Sequence, residues 1–210
     1  MCNLYSMTRN TEAITRLFRV PHNRATAVTP LTSIFPGYQA PVVRKAADGE
    51  RELVNLNWGF ILLQKDRAPR RVTNVRDDKI LTSPFWKPSF EQRRCLVPAS
   101  SYCEPKGEKP ATWHWFAMNG DEQRPIFAFP GVWTRYRGPI RKNGANVDQE
   151  VFAFMTTEPN ELTVSVNHER MPVLLVRARA LRHLAQRLAR RGFALAGSYP
   201  ADGMRIVQSG

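Results

Sequence analysis

Cysteine is scarce in this chain. Only Cys2, Cys95 and Cys103 occur in 210 residues. An odd and sparse set argues against a disulfide framework and fits a reducing compartment. Cys95, Cys103 and His114 lack the spacing of a zinc site, and no second cysteine pair is present, so no metal and no cofactor is expected. Cys95 and Cys103 read instead as small buried hydrophobes. Long apolar runs are missing too. None approaches the length of a spanning helix, and the N-terminus has no apolar signal core. A cytoplasmic chain without membrane association is the expectation. Repeats and low-complexity segments are absent. Acid is in short supply: 18 Asp and Glu face 31 Lys and Arg, a formal net charge of +13. Such a balance speaks to partners rather than to fold, and nucleic acid is the commonest polyanion.

What is present suits one sizeable core over 1–210, with ordinary hydrophobic content. Asn10-Thr11-Glu12 reads as a helix start. Ile14, Leu17 and Phe18 then recur at helical spacing, and Pro21 ends the helix. From His22 to Gly49, Pro, Thr and Gly favour extended segments and turns. Asp48-Gly49 between Val42-Val43-Arg44 and Leu53-Val54-Asn55-Leu56 reads as a hairpin. Strands are predicted over 93–98, 112–118, 125–133, 151–157 and 173–176. Basic, glycine-containing 135–146 reads as a mobile surface loop. Glu158-Pro159-Asn160-Glu161-Leu162 starts a short turn or helix. Leu181, Leu184 and Leu188 mark one face of a helix whose Arg182, Arg187, Arg190 and Arg191 read as a solvated face. The tail past Gly192 is uninformative. Many short strands with few helices predict an α+β fold. It is a single domain built on a strongly bent, barrel-like, mostly antiparallel sheet.

Chemistry concentrates at the start. Met1 precedes Cys2, and removal of Met1 leaves Cys2 with an α-amine and a thiol on adjacent carbons. An internal cysteine lacks this pair, because its nitrogen is an amide. Both groups are partly nucleophilic near neutrality, with ordinary pKa values of ~7.7–8.0 and ~8.5. The amine condenses with an aldehyde to an imine, and the thiol then closes a five-membered thiazolidine. Such chemistry needs an acid, a proton shuttle and a holder for substrate. Glu104, His168 and Asn74 are candidates. Taken singly, each also fits a plain structural role: an acid on a surface turn, a histidine at the start of a strand, a turn cap.

Four segments in order change that balance. They are Met1-Cys2, then Asn74-Val75-Arg76 after Trp58-Gly59, then Cys95-Leu96-Val97-Pro98-Ala99 leading to Tyr102-Cys103-Glu104. Last comes Thr156-Thr157 leading to His168-Glu169-Arg170-Met171-Pro172. In these the chain resembles the SRAP family, abasic-site processing proteins first named as SOS-response-associated peptidases. The resemblance implies binding of abasic sites in single-stranded DNA and a covalent cross-link through Cys2. The link would shield the damaged site from strand cleavage in the SOS response. Cys2 would be the nucleophile, amine first and thiol second. Glu104 would be the general acid/base, His168 would move protons at the imine, and Asn74 would orient the N-terminus and sugar. Arg76 and Arg170 would hold phosphates, a task suited to a planar, permanently charged guanidinium. Ser33, Pro36, Thr157 and Trp58 would line the DNA cleft, Trp58 by stacking on bases. The protein is expected to act as a monomer, nucleoid-associated when bound to DNA.

The chain departs from the family pattern in three places, one of them a stretch from Thr157 to His168 about one residue longer than usual. Many members begin Met-Cys-Gly-Arg, whereas Asn3 and Leu4 stand here, so one basic phosphate contact is missing. Ile61-Leu62-Leu63 and a basic loop occupy the region where a tryptophan pair is frequent. Rival readings are an N-terminal-nucleophile amidotransferase or a peptidase, with the thiol attacking an amide, and a non-enzymatic nucleic-acid binder.

Overall fold

The computed structural model describes residues 2–26, 30–107, 110–120, 124–166, 168–176 and 197–209. In chain order the first strands are β1 (Leu4–Met7), β2 (His22–Asn23), β3 (Leu31–Ile34), β4 (Gln39–Lys45), β5 (Arg51–Trp58), β6 (Phe60–Leu62), β7 (Arg70–Val72) and β8 (Asn74–Arg76). They are followed by β9 (Arg94–Ala99), β10 (Ser101–Lys106), β11 (Thr112–Met118), β12 (Phe127–Pro139), β13 (Asn146–Thr157), β14 (Met171–Pro172) and β15 (Met204–Ser209). The helices are α1 (Thr11–Phe18), α2 (Lys87–Gln92) and α3 (Glu161–Val164).

Strands β13, β12, β9, β4 and β5 follow one another by antiparallel pairing, and β5 pairs back onto β13. The ring is therefore a closed barrel. An odd-membered ring cannot alternate direction throughout, and the β5–β13 seam is the parallel exception, with Val151 opposite Asn57 and Phe152 opposite Trp58. A second sheet runs β15-β11-β10-β1-β3. The mostly antiparallel, barrel-like α+β architecture is the one expected from the sequence.

Aromatic packing joins the sheets. Tyr5 of β1 meets the rings of Trp58, Phe129 and Phe154 edge-on, at centroid distances of 5.0, 5.7 and 5.9 Å. Trp58 and Phe129 each stack on Phe154, at 5.2 and 4.3 Å. Offset and edge-on pairs of this kind add about 0.5–1.5 kcal/mol each beyond the area they bury. A smaller apolar cluster, including Phe60, Val75, Trp86, Phe90 and Val132, seats α2 against the outside of the barrel.

Local signals explain α1 well. The Asn10 side chain accepts a hydrogen bond from the Ala13 N–H at 3.0 Å, Ile14 and Phe18 are buried, and Arg19 turns left-handed just ahead of Pro21. In the predicted hairpin, β4 and β5 pair from Gln39↔Asn57 to Lys45↔Arg51, with Gly49 at φ +92° in the turn.

Three readings need correction. Residues 135–139 and 146 are strand rather than loop, because β12 and β13 stay paired out to Pro139↔Asn146, and the connection is confined to 140–145. Asp148 explains it: its carboxylate accepts two hydrogen bonds from Arg135, at 2.6 and 2.8 Å, and one from Arg137 at 3.0 Å. Those cross-strand pairs hold basic residues in the ladder that by composition suit a loop. The strand predicted over 173–176 is reduced to Met171–Pro172 and a bridge between Leu175 and Ala128. Pro172 lacks an N–H to extend that ladder. The tail is not featureless, since β15 pairs with β11. Helix α2 was also missed. The expected basic helix around Leu181–Leu188 lies outside the described residues.

Close packing inside the barrel wall generates a prediction. Gly131 of β12 faces Cys95 on one side and Phe154 on the other. A Cβ there would stand 2.7 Å from the Ala153 carbonyl oxygen and 3.2 Å from Cys95 Sγ. Gly131→Ala should therefore destabilise the protein by about 1–3 kcal/mol, the usual cost of overpacking. Urea unfolding of the variant should show a lowered midpoint; an unchanged midpoint would contradict this packing.

Candidate active site

Strand β1 lies between β3 and β10, with Tyr5 opposite Ile34 on one side and Tyr102 on the other. Its last pair towards the N-terminus is Leu4↔Cys103. The next residue of β10 is Glu104, beside the segment that carries Cys2 and Asn3. Side chains alternate along a strand, so Glu104 shares the inward face of Tyr102. That parity accounts for an acid that is 1% exposed.

Burial governs the chemistry here. Neither carboxyl oxygen of Glu104 has a hydrogen-bond partner among the described residues. Desolvation disfavours the charged form and pushes Glu104 up to about 8. His168 lies against it, with Nδ1 at 3.6 Å from Glu104 Oε2. The other ring nitrogen, Nε2, donates to the Pro105 carbonyl at 2.8 Å. This bond fixes the neutral tautomer, leaving the Nδ1 lone pair towards the carboxyl. Burial also lowers the His168 pKa, although the Pro105 bond opposes the shift. A protonated Glu104 facing a neutral His168 follows near neutrality. The two groups hold one transferable proton between them.

The backbone sets this pair. Asn160 caps α3 by accepting from the Thr163 N–H and hydroxyl, each at 2.9 Å. The N–H of His168 bonds the Thr163 carbonyl at 3.3 Å, and Lys106 Nζ donates to the Ser165 carbonyl at 3.1 Å. Consecutive residues of β10 thus grip the segment that presents the imidazole.

Cys2 is fully buried, and its Sγ lies 3.4 Å from the Leu4 carbonyl oxygen. Burial, and next the Glu104 charge, raise its thiol pKa well above the ordinary value. The thiol is kept as S–H. Cys95 and Cys103 are buried and free, as their composition suggested.

Asn74 is buried, and neither its amide oxygen nor its nitrogen has a partner among the described residues. Its neighbour Thr73 makes the contact to the N-terminal segment, the hydroxyl donating to Asn3 Oδ1 at 3.0 Å. The Thr73 carbonyl in turn accepts from Trp58 Nε1 at 3.1 Å and from the Phe154 N–H at 3.3 Å. Thr73 and Asn3 were missed as site residues, and nothing in a lone threonine or in Asn3 announces the pairing.

The expected DNA contacts fare unevenly. Ser33 is exposed on β3 and Pro36 is half-buried in the turn after it. Trp58 is fully buried among Tyr5 and Phe154, so it offers no face to a base, and its expected stacking role is corrected. Arg76 is exposed but holds Asp78 with two bonds, at 2.9 and 2.8 Å. Arg170 bridges Asp77 and Glu158 and donates to the Thr156 carbonyl at 2.8 Å. The Thr157 hydroxyl donates to Asp77 at 2.7 Å. These three residues form one carboxylate-laced cluster, distinct from the carboxyl–imidazole pair. Among the described residues no group of His, Cys, Asp or Glu is placed to hold a metal, and no helix is long and apolar enough to cross a membrane.

The barrel with its second sheet, and the buried acid beside Cys2, define a class: the chain belongs to the SRAP family, SOS response associated peptidase, whose model matches residues 1–208. Its relatives include the abasic site processing protein YoqW of Bacillus subtilis, 27% identical over 125 residues, covering 59% of this chain and 53% of that one. Another, the abasic site processing protein YoaM of the same organism, is 26% identical over 138 residues, covering 59% and 52%. The chain spans about half the length of these curated relatives. A crystal structure of a protein from Bordetella bronchiseptica shares the fold with a TM-score of 0.76 at 20% identity, covering 99% of this chain and 100% of that one. A second, from Bacteroides thetaiotaomicron, aligns with a TM-score of 0.74 at 17% identity, covering 99% and 92%.

The buried acid makes stability depend on pH. Unfolded, Glu104 ionises near ~4.3; folded, it holds its proton up to about 8. Between those values the folded state binds the extra proton, so this contribution is lost as pH rises through the window. Glu104→Gln should melt higher than wild type at about pH 8, with the gain shrinking towards about pH 4. His168, with its lowered pKa, acts in the opposite sense below its ordinary range, so the comparison is between the two proteins at each pH. A difference in melting temperature that does not vary with pH would contradict a buried, protonated Glu104.

Proposed function

We propose that this protein processes abasic sites in single-stranded DNA by covalent capture through Cys2. The observation that carries the reading is the buried Glu104 carboxyl beside the Cys2 segment, with the His168 imidazole against it and no hydrogen-bond partner among the described residues. The names of the curated Bacillus relatives point to the same substrate.

With Met1 removed, the α-amine of Cys2 adds to the aldehyde carbon of the ring-opened deoxyribose. Glu104 supplies a proton to the departing oxygen, water leaves, and a C=N bond forms. The Cys2 thiol then adds to the imine carbon. A C–S bond forms, the nitrogen gains the thiol proton, and the C=N bond becomes single. The product is a thiazolidine, and the net loss is one water. His168 Nδ1 relays protons between the carboxyl and the reacting nitrogen. Closure has a purpose: an imine acidifies the adjacent C–H and promotes β-elimination, which breaks the strand. Adding the thiol removes the imine.

Burial of the thiol favours this order. A peptidase attack on an amide requires a thiolate, and desolvation opposes one here. An imine carbon is electrophilic enough for a neutral thiol whose proton has an acceptor close by. Asn74, whose amide atoms have no partner among the described residues, would bind sugar or terminal amine. Arg76 and Arg170 reach phosphate by exchanging their carboxylate partners.

Variants separate the roles. Cys2→Ala keeps an α-amine and should give strand cleavage without a stable adduct. Glu104→Gln and His168→Gln should slow adduct formation by roughly 10²–10⁴-fold, the usual reach of general acid–base catalysis. Gel analysis of oligonucleotides carrying one abasic site measures all three. Wild-type rates in both the Glu104 and His168 variants would remove the pair from the mechanism.

A further inference from the structure

With Trp58 buried, the surface beside the site needs another aromatic group to hold unstacked bases. We propose that Phe35 and Tyr38 form a base-stacking platform for the strand that carries the abasic site. The proposal rests on the functional reading above and adds a specific subsite to it.

The two rings project from the turn between β3 and β4 and are 42% and 57% exposed, against a barrel whose other aromatic side chains are mostly buried. They meet edge-on at a centroid distance of 5.7 Å, so each keeps a face open. Their backbone is pinned. The Tyr38 N–H bonds the Phe35 carbonyl at 3.0 Å, the Gly37 N–H bonds the Trp58 carbonyl at 2.7 Å, and the Trp58 N–H bonds the Tyr38 carbonyl at 2.9 Å. Trp58 therefore supports the platform from beneath. A pinned turn presents its rings with little ordering cost on binding.

Position and charge select the occupant. Strand β3 pairs antiparallel with β1 and leaves it just after Ile34, opposite Tyr5, so the turn runs on beside residues 2–4. The Arg71 guanidinium lies against Gly37, where a Cβ would stand 3.2 Å from Nε. Gly37, at φ +90°, both permits this turn and leaves room for the cation. Among the described residues no carboxylate pairs with Arg71 or with Lys65, Arg67 and Arg70 on the adjoining segment, whereas Arg76 and Arg170 are both ion-paired. Exposed rings beside unpaired cations fit a single-stranded polyanion with free base faces.

The test compares two probes of equal length and charge by fluorescence anisotropy. One is an ordinary single strand, and the other is a strand of base-less tetrahydrofuran spacers, which cannot form the imine. Wild type should bind the base-bearing strand more tightly by roughly 5- to 10-fold for each ring engaged. Phe35→Ala with Tyr38→Ala should erase the preference, and Phe35→Tyr with Tyr38→Phe should keep it. As a measurement free of variants, 2-aminopurine beside the abasic site should lose fluorescence when wild type binds. A double alanine variant that keeps the full preference, or undimmed 2-aminopurine in the wild-type complex, would overturn the platform while leaving cross-linking by wild type intact. Absence of both cross-linking and single-strand binding in wild type would overturn the underlying reading as well.

Discussion

Everything in the site depends on how β1 is held. This four-residue strand, Leu4–Met7, is paired on both edges, and its Tyr5 ring is set among Trp58, Phe129 and Phe154. A short strand alone is marginal in water. Here two ladders and an aromatic core fix it, and with it the direction in which residues 2 and 3 leave. Thr73 completes the hold from another direction by donating to Asn3. A nucleophile at the end of a chain is otherwise among the most mobile groups a protein can offer. Under the proposed mechanism, fixing it before substrate arrives is the entropic part of catalysis.

The same burial that fixes β1 sets the protons. Glu104 favours its protonated form because it is buried without a hydrogen-bond partner among the described residues, and the Pro105 carbonyl holds His168 in the tautomer that faces it. One strand, β10, supplies the acid, the carbonyl that orients the base, and the lysine that tethers the base's loop. Elsewhere the chain treats charge differently. Glu52, buried in the barrel wall, is paired with Arg44 at 2.7 Å and Arg24 at 3.3 Å. A carboxyl buried without such pairing, in a protein able to supply it, supports the catalytic role proposed for Glu104.

Much of the architecture was legible in the sequence where local rules and tertiary structure agree. Asn10 with an apolar stripe gave α1, and Asp48-Gly49 between two apolar runs gave the β4–β5 hairpin. Residues 135–139 were misread because the stabilising partner of Arg135 and Arg137, Asp148, lies on the facing strand and is invisible to local composition. Trp58 was misplaced for a related reason: an aromatic next to glycine reads the same whether it faces core or solvent, and only the closed seam with β13 decides. Helix α2 has no side-chain cap at Trp86, and the proline in its first turn, Pro88, was the one start signal it carried. At the site, Cys2 is legible by its position, since only a terminal cysteine offers an aminothiol. Glu104 and His168 lie far apart in sequence, and the ordered family segments were needed to join them.

In the proposed function, Cys2 forms the bond to DNA. Intact-mass analysis of the protein incubated with a single-stranded oligonucleotide bearing one abasic site, followed by peptide mapping, tests it most directly. The expected product is a heat-stable species equal to the protein without Met1, plus the oligonucleotide, less one water, with the added mass mapped to Cys2. Attachment at a lysine or at another cysteine, or protein and DNA recovered only as separate masses, would contradict it.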